Sequence, residues 1–210
     1  MAKITILIPC YNELGNVSII YEKLIKIIHQ YDKEKYEFII LFIDNDSNDG
    51  TQTEIRDIAE KDDKVKAIFN LRNFGWIRPQ WYGLIHAPGD AVIQLACDMQ
   101  EPPELIPNFL ENWSNGELIV AGVKTESEEN KILYYFRTTY YKIIDFLSEE
   151  SRISHFTGFG LYDRKIIEQL KNIEDMYPYT RGIFQELGYK PKIIEYRQRK
   201  RIAGESKFNL

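Results

Sequence analysis

Acidic and amide side chains occur in three clusters of this sequence, and each cluster directly follows a short apolar run. The clusters span residues 9–13, 44–50 and 98–103. Loops rich in Asp and Asn are also ordinary turn formers and helix N-caps, so the loop 44–50 alone fits a structural interpretation as well as a functional one. All three together favour a binding site, because turn chemistry gives no reason for carboxylates after each of these runs.

The third cluster has the chemistry of a metal site. Asp98 and Gln100 can supply hard oxygen ligands to Mg²⁺ or Mn²⁺, and such an ion in turn holds a diphosphate. Neither the glycine-rich dinucleotide fingerprint nor the Walker pattern occurs, so phosphate binding here needs cations. A second source of cations is the basic stretch around Arg201, because residues 190–207 contain seven basic and two acidic side chains.

Short apolar runs and helical patterns alternate in the first half of the chain. Runs at 3–8, 38–43, 65–70 and 91–96 have the length of strands buried on both faces. Spacings of three and four predict a first helix through Val17, Ile20, Leu24, Ile27 and Tyr31, and further helices are predicted over 51–61, 77–87 and 103–113. This alternation predicts a mostly parallel α/β sheet flanked by helices, which binds ligands beyond the carboxyl ends of its strands.

The second half of the chain has a less regular pattern. Strands are predicted over 118–123 and 192–196, and a helix crowded with aromatic residues over 134–147. No internal repeat and no Gly/Ser linker divides the sequence. Its 210 residues therefore predict a single domain, 1–210.

Composition and charge exclude several classes of protein. The net charge of −5 argues against a general nucleic-acid binder, which needs a basic surface. No segment approaches the roughly 20 apolar residues that cross a bilayer. Cys10 and Cys97 each border an apolar run, so both are expected to be free thiols in a reducing compartment. These features predict a cytoplasmic chain.

Six motifs, in one order along the chain, give a specific resemblance to a known family. The chain resembles the family 2 glycosyltransferases of GT-A fold, and within them the polyprenyl-phosphate glycosyltransferases of the dolichol-phosphate mannose synthase type. The motifs are IPCYNE at 8–13, DNDSNDGT at 44–51, RNFG at 72–75, DMQEPPE at 98–104, TGFGLYD at 157–163 and RIAGESK at 201–207. They cover nearly the whole chain.

The resemblance implies roles for individual residues. It implies a nucleotide-binding half at about 1–123 and an acceptor half at about 124–210. The metal ion, Mg²⁺ or Mn²⁺, and the diphosphate would be bound by Asp98 and Gln100, which would act in catalysis with Arg201, while Lys207 would close over the phosphates. Arg137 is a candidate to bind the acceptor phosphate. The alternative is that it is an ordinary arginine on the solvent-facing side of a helix. The residues implied to hold the nucleoside are Pro9, Tyr11, Glu13, Asp44, Asn73 and Gly75.

The sequence also departs from the family pattern at three places. Ala96 stands where an Asp-X-Asp motif would begin, so metal binding would draw on Gln100, Glu101 and the donor phosphates. The second loop has Asn45 and Asp46 where the family usually has Asp and Gly. Gly158 stands where many members carry a catalytic aspartate. His155 and Asp163 are nearby alternatives for a general base. A lone histidine beside Phe156 is more often a packing residue than a base, and Asp163 also fits the cap of a helix that begins at Arg164.

The resemblance implies a metal-dependent, inverting hexosyltransferase that uses a nucleotide-diphosphate sugar as donor. The expected acceptor is a polyprenyl phosphate, and the expected location is peripheral, at the inner face of a membrane. A sugar hydroxyl acceptor, as in cell-surface polysaccharide synthesis, is the first alternative, and a non-catalytic nucleotide-sugar binding module is the second. A hydroxyl acceptor needs a general base and a phosphate does not, so Gly158 favours the phosphate. The sequence does not indicate an oligomeric state.

Overall fold

Strands and helices alternate through the first half of the chain, as the apolar runs predict. The computed structural model describes residues 1–31, 35–126, 156–173, 175, 178 and 187–199. Within these residues the strands are β1 (Ala2–Cys10), β2 (Tyr36–Asp44), β3 (Val65–Phe69), β4 (Ala91–Gln94), β5 (Ile119–Glu126), β6 (Phe156–Asp163) and β7 (Lys192–Arg197). The helices are α1 (Asn16–Ile28), α2 (Thr51–Ala59), α3 (Ile77–His86), α4 (Ile106–Ser114), after a 3₁₀ turn at Pro103–Leu105, and α5 (Arg164–Leu170).

All these strands form one sheet, in the order β3-β2-β1-β4-β6-β5-β7. The pairs β1–β2, β1–β4, β2–β3 and β5–β7 are parallel, and β6 runs antiparallel to both of its neighbours. The predicted mostly parallel α/β sheet is therefore confirmed. The carboxyl ends of β1 to β4 therefore all lie at one edge of the sheet.

The hydrophobic core lies on both faces of the sheet, because side chains alternate in direction along a strand. On one face Ile4, Ile6 and Ile8 of β1 are fully buried in a core that includes residues of α1, α2 and α4. On the other face Leu7 of β1 is fully buried in a core that includes residues of α3 and α5. The apolar runs are continuous for this reason, since both faces of the central strands are covered.

The element ends differ from the predictions in ways that have local causes. The helix predicted over 103–113 consists of a 3₁₀ turn followed by α4, which has Pro107 in its first turn. Tyr31 lies beyond the end of α1, yet its ring packs 5.6 Å from the rings of Tyr36 and Phe38. The predictions did not include β6 as a strand, because two glycines interrupt its apolar pattern. Both glycines are packed against neighbouring residues, as described for Gly158 below.

Part of the sequence interpretation falls on residues outside the described ranges. The predicted helix at 134–147 lies there, as do His155, Arg137, Arg201 and Lys207. Within the described part of the chain, no helix has the length and apolar character needed to cross a membrane. Both cysteines are buried and free, as predicted.

Asp163 joins α5 to α4. Its Oδ1 accepts a hydrogen bond of 2.8 Å from the backbone N–H of Lys165, and so caps the helix that begins at Arg164. Its Oδ2 accepts a 2.7 Å bond from the indole Nε1 of Trp113. Both carboxylate oxygens therefore have structural partners, which supports the helix-cap interpretation of this residue.

We expect Asp163→Ala to lower the free energy of unfolding by about 1–3 kcal/mol, because it removes the cap and leaves a half-buried indole N–H without its acceptor. Chemical denaturation measures the change. Asp57→Ala is the control, since Asp57 lies exposed on α2 and its removal is expected to change stability by less than about 0.5 kcal/mol. Equal stability of the two variants would contradict the assigned contacts.

Candidate active site

Parallel pairing brings the three polar clusters to one edge of the sheet. Cys10, the last residue of β1, lies opposite Asp44, the last residue of β2. On the other side of β1, the N–H of Leu95 donates to the carbonyl of Leu7, so the loop that follows β4 starts beside the end of β1. The predicted convergence of the strand ends is therefore present in the structure.

The first two loops are joined by hydrogen bonds between their backbones and side chains. Asn12 has a φ of 54°, and its N–H donates to Ser47 Oγ at 2.8 Å while its Oδ1 accepts from the N–H of Asn48 at 2.9 Å. The N–H of Glu13 donates to Thr51 Oγ1 at 2.8 Å. This bonding fixes the loops against each other, and the side chains of Pro9 and Tyr11 lie half-buried beside them.

Asp44 is fully buried at the centre of this edge. Its Oδ2 accepts from the N–H of Ser47 at 3.0 Å and from Gln52 Nε2 at 2.7 Å. Among the described residues, no group donates a hydrogen bond to its Oδ1. A buried carboxylate oxygen that lacks a donor costs free energy.

Asn45 holds the loop that carries the predicted residues Asn73 and Gly75. Its Nδ2 donates to Asn73 Oδ1 and to the carbonyl of Gly75, both at 2.9 Å. Its Oδ1 accepts from the N–H of Phe74 at 3.0 Å and from Asn70 Nδ2 at 3.2 Å. An aspartate at this position would have no N–H to donate, which explains why the sequence has an amide there. In the sequence, Asn45 stands out only as a departure from the family pattern.

Asp98 and Gln100 lie on a tight turn after β4. Met99 between them is buried and has a φ of 63°, and Asp98 Oδ1 accepts from the N–H of Gln100 at 3.1 Å. Both side chains are half-buried. Among the described residues, no group of three or more His, Cys, Asp or Glu side chains is arranged so that it could hold a metal ion. A carboxylate and an amide oxygen fit a Mg²⁺ or Mn²⁺ ion that takes its other ligands from phosphates.

Glu101 joins the turn to β6. Its Oε2 accepts from the N–H of Ala96 at 2.7 Å, and its Oε1 accepts from Thr157 Oγ1 at 2.6 Å. Burial raises the pKa of this carboxyl to about 7, and the negative charge of Asp98 adds to the rise. Glu101 is predicted to aid metal binding, and in the structure each of its two carboxylate oxygens accepts one of these protein hydrogen bonds.

Gly158 lies on β6 in a conformation and a space that suit glycine alone. Its φ is 100°, and a Cβ atom there would lie 3.0 Å from Gln94 Nε2. That amide donates to Gln80 Oε1 at 2.7 Å, and both glutamines are buried. The carbonyl of Gly158 accepts from the hydroxyl of Tyr162 at 2.6 Å. A side chain at this position would therefore have its Cβ in tight contact with a buried amide pair.

Arg199 of the basic stretch lies against the same turn. The N–H of Arg199 donates to the carbonyl of Gln100 at 3.2 Å, and its guanidinium lies 3.2 Å from the carboxylate of Glu104. Glu104 also pairs with Lys23 at 2.8 Å. Residues 102, 104 and 105 and residues 195–199 line a surface pocket of about 600 Å³. Arg201 and Lys207 follow directly in sequence, outside the described residues.

An open, mostly parallel sheet with polar loops along its carboxyl edge is the architecture of nucleotide-binding α/β domains. The family described as "Glycosyl transferase family 2" matches residues 5–188. The chain therefore belongs to glycosyl transferase family 2, as the motifs predict.

Individual relatives agree with this family and with the fold. A protein named prophage bactoprenol glucosyl transferase homolog, from Escherichia coli strain K12, is 32% identical over 99% of this chain and 67% of its own length. Mannosyl-3-phosphoglycerate synthase from Rubrobacter xylanophilus has a TM-score of 0.65 at 16% identity, covering 96% of this chain and 68% of its own. A mannosyltransferase from Pyrobaculum calidifontis, solved with GDP-Man and Mn²⁺, has a TM-score of 0.58 at 19% identity, covering 93% and 55%. The GT-A fold is confirmed by these structures.

The raised pKa of Glu101 predicts a pH-dependent stability. The folded state binds its proton more tightly than the unfolded chain, whose ordinary value is 4.5, so stability falls as pH rises from about 4.5 through about 7. The full cost at higher pH is on the order of 3 kcal/mol. We expect Glu101→Gln to remove this fall, because an amide can accept from Ala96 and donate to Thr157 without ionising. Urea denaturation at several pH values, without added metal, measures the change.

The control for Glu101 is Glu60→Gln, which changes an exposed carboxylate of the same type. It is expected to keep the pH profile of the unaltered protein. A Glu101→Gln profile as steep as that of the unaltered protein would show that this carboxyl is not the group that titrates.

The packing around Gly158 predicts that an aspartate there destabilises the fold. Gly116 has a φ of 103° with open space around it, so Gly116→Asp bears the backbone strain alone, about 1–3 kcal/mol. We expect Gly158→Asp to cost at least about 1 kcal/mol more, because the new side chain must displace the Gln94 amide. Thermal denaturation of the two variants gives the difference. Equal losses of stability would mean that the glutamine pair leaves room for a carboxylate.

Proposed function

We propose that this chain is a metal-dependent, inverting hexosyltransferase that moves a hexose from a nucleotide-diphosphate sugar to a polyprenyl phosphate. The observation that carries the choice of acceptor is the environment of Gly158, where a buried glutamine pair takes the place of a carboxylate. The name of the Escherichia coli relative, a bactoprenol glucosyl transferase homolog, supports the same acceptor class. The domain would divide into a nucleotide-binding half at about 1–123 and an acceptor half at about 124–210.

On the donor side, the loops after β1, β2 and β3 would surround the nucleoside. Asp44 ends β2 beside Cys10 at this edge, and its Oδ1 lacks a donor among the described residues. In the proposal this oxygen accepts from an N–H group of the base once the bound nucleotide gives access to it. Asn45 would keep the loop at 70–75 in position, because it bonds to four groups of that loop. The other residues proposed for this pocket are Pro9, Tyr11, Glu13, Asn73 and Gly75.

The diphosphate would lie beside Asp98 and Gln100. In the proposal these two residues hold Mg²⁺ or Mn²⁺ together with the phosphates, and the ion when bound stabilises the charge of the departing nucleotide diphosphate. A structural relative was solved with GDP-Man and Mn²⁺, which supports this choice of ion and donor class. Arg201 and Lys207 would add positive charge from the basic stretch. The bond from Arg199 to Gln100 keeps this part of the stretch next to the turn.

On the acceptor side, a phosphate supplies its own nucleophile. The second pKa of a phosphate monoester is near about 6, so at neutral pH it carries roughly −1.5 to −2 charge and attacks without a general base. The protein then has to align the phosphate oxygen behind the anomeric carbon, and attack from that side inverts the configuration. Arg137 is the proposed contact for this phosphate. Glu101, the carboxyl near this side, already has two protein partners. Asp163 lies at the opposite edge of the sheet, where it pairs with Ala91 at the start of β4.

The sharpest test is Asp98→Ala, assayed by transfer of radiolabelled hexose to a short-chain polyprenyl phosphate in detergent with Mn²⁺. We expect transfer to fall by at least about 10²-fold, as expected when a group that stabilises the transition-state charge is removed. The fold should be retained, because the side chain is only half-buried on a turn. Gln100→Ala should have a smaller effect, since a neutral amide contributes less to a divalent cation than a carboxylate does.

Asp57→Ala is the matched control, and its transfer rate should equal that of the unaltered protein. Undiminished transfer by Asp98→Ala would exclude a metal ion at this turn. Transfer to free sugar hydroxyls, with none to the lipid phosphate, would favour the hydroxyl-acceptor alternative. Nucleotide-sugar binding without either transfer or hydrolysis would favour a binding module.

A further inference from the structure

One segment beside the site has an unusual combination of exposed hydrophobic and basic side chains. Leu71 is 97% exposed, Trp76 47% and Tyr82 48%, all within twelve residues of sequence. Single exposed apolar residues are normal on protein surfaces, but a cluster of them marks an interaction surface. We give the name α3 surface to Leu71, Arg72, Trp76, Arg78 and Tyr82, which lie on the loop before α3 and on α3 itself.

The charge of this segment is opposite to that of the whole chain. Residues 70–88 contain Arg72, Arg78 and His86 and no Asp or Glu, although the chain has 32 acidic residues and a net charge of −5. Arg78 and Tyr82 are four residues apart on α3, so they lie on the same side of the helix. The α3 surface is therefore basic and aromatic on an otherwise acidic protein.

The position of the α3 surface places it beside the opening of the candidate site. The loop leaves β3 at the carboxyl edge of the sheet, where the site loops also lie, and α3 begins there at Ile77. Asn45 fixes this loop through its bonds to Asn70, Asn73, Phe74 and Gly75. The guanidinium of Arg72 lies 4.3 Å from the centre of the Phe74 ring. The exposed leucine is thus presented by an ordered loop.

We propose that the α3 surface docks onto the interface of an anionic membrane. Tryptophan and tyrosine prefer the headgroup level of a bilayer, leucine enters the acyl region, and arginine binds lipid phosphates. Charge complementarity selects an anionic surface, because the segment carries basic groups only. The choice of a membrane rests on the proposed lipid acceptor. Docking at this edge would bring the site opening to the depth at which the phosphate of a polyprenyl phosphate lies.

Vesicle binding by the 210-residue chain tests the proposal, with no donor, metal or acceptor present. The probe is sedimentation with vesicles of phosphatidylglycerol and phosphatidylcholine, compared with phosphatidylcholine alone. We expect binding to the anionic vesicles, weakened by added salt. The double variant Leu71→Ser with Tyr82→Ser should lower the affinity by at least about tenfold, because two side chains that enter the interface are lost. Arg72→Glu should lower it by at least about fivefold, for anionic vesicles only.

The matched control is the double variant Leu187→Ser with Ile193→Ser, which removes two exposed apolar side chains elsewhere, 37% and 39% exposed. It should bind vesicles like the unaltered chain. Equal binding by both double variants, or equal binding to both kinds of vesicle, would overturn the proposal. So would a loss of self-association in the Leu71 and Tyr82 variant without loss of vesicle binding, since the surface would then be a protein interface. Transfer measured in detergent is independent of these outcomes, so a failure of docking is distinguishable from a failure of the proposed reaction.

Discussion

The candidate site depends on the simultaneous parallel pairing of β1 with β2 on one side and with β4 on the other. This pairing fixes the height at which each strand ends, and so it sets Cys10 beside Asp44 and starts the Asp98 turn next to both. A slip of one residue in either pairing would turn every side chain of the strand to the opposite face. The fully buried apolar residues on both faces of β1 oppose such a slip, so packing in the core determines the geometry of the edge.

Much of the fold and the location of the site were predictable from the sequence. Strands buried on both faces give continuous apolar runs, and polar clusters that follow parallel strands meet at one edge, so β1 to β4 and the three loops followed from the pattern. The fold around β6 did not follow from the pattern, because its neighbours in the sheet are distant in sequence. Its glycines are required by close contacts with Gln94 and Val120, which no local pattern reveals. The partners of Asn45 and Glu101 are likewise long-range. Their types were visible in the sequence, but the groups that they bind were not.

The acceptor side contains two buried polar groups, a neutral pair of glutamines and a hydrogen-bonded carboxyl. The Gln80–Gln94 pair offers amide groups without charge, and Glu101 holds an ionisable carboxyl whose two oxygens are occupied by Ala96 and Thr157. A negative acceptor meets less repulsion in such surroundings than it would beside a free aspartate. Among the described residues, neither the glutamine pair nor Glu101 offers a free carboxylate that could remove a proton from a neutral hydroxyl. The choice of acceptor therefore depends on the hydrogen bonds that Glu101 already makes as well as on the lack of a carboxylate at Gly158.

The position of β6 in the sheet also has a consequence for synthesis on the ribosome. β4 gains its second neighbour only when Ala91 pairs with Asp163, long after β1 to β4 have been made. Until then β4 is an open edge with unpaired N–H and C=O groups, which is a template for pairing with another chain. β4 is only four residues long, and a short edge offers little to a partner. We therefore expect the nascent first half to remain separate from other chains while the strand that completes the sheet is still being translated.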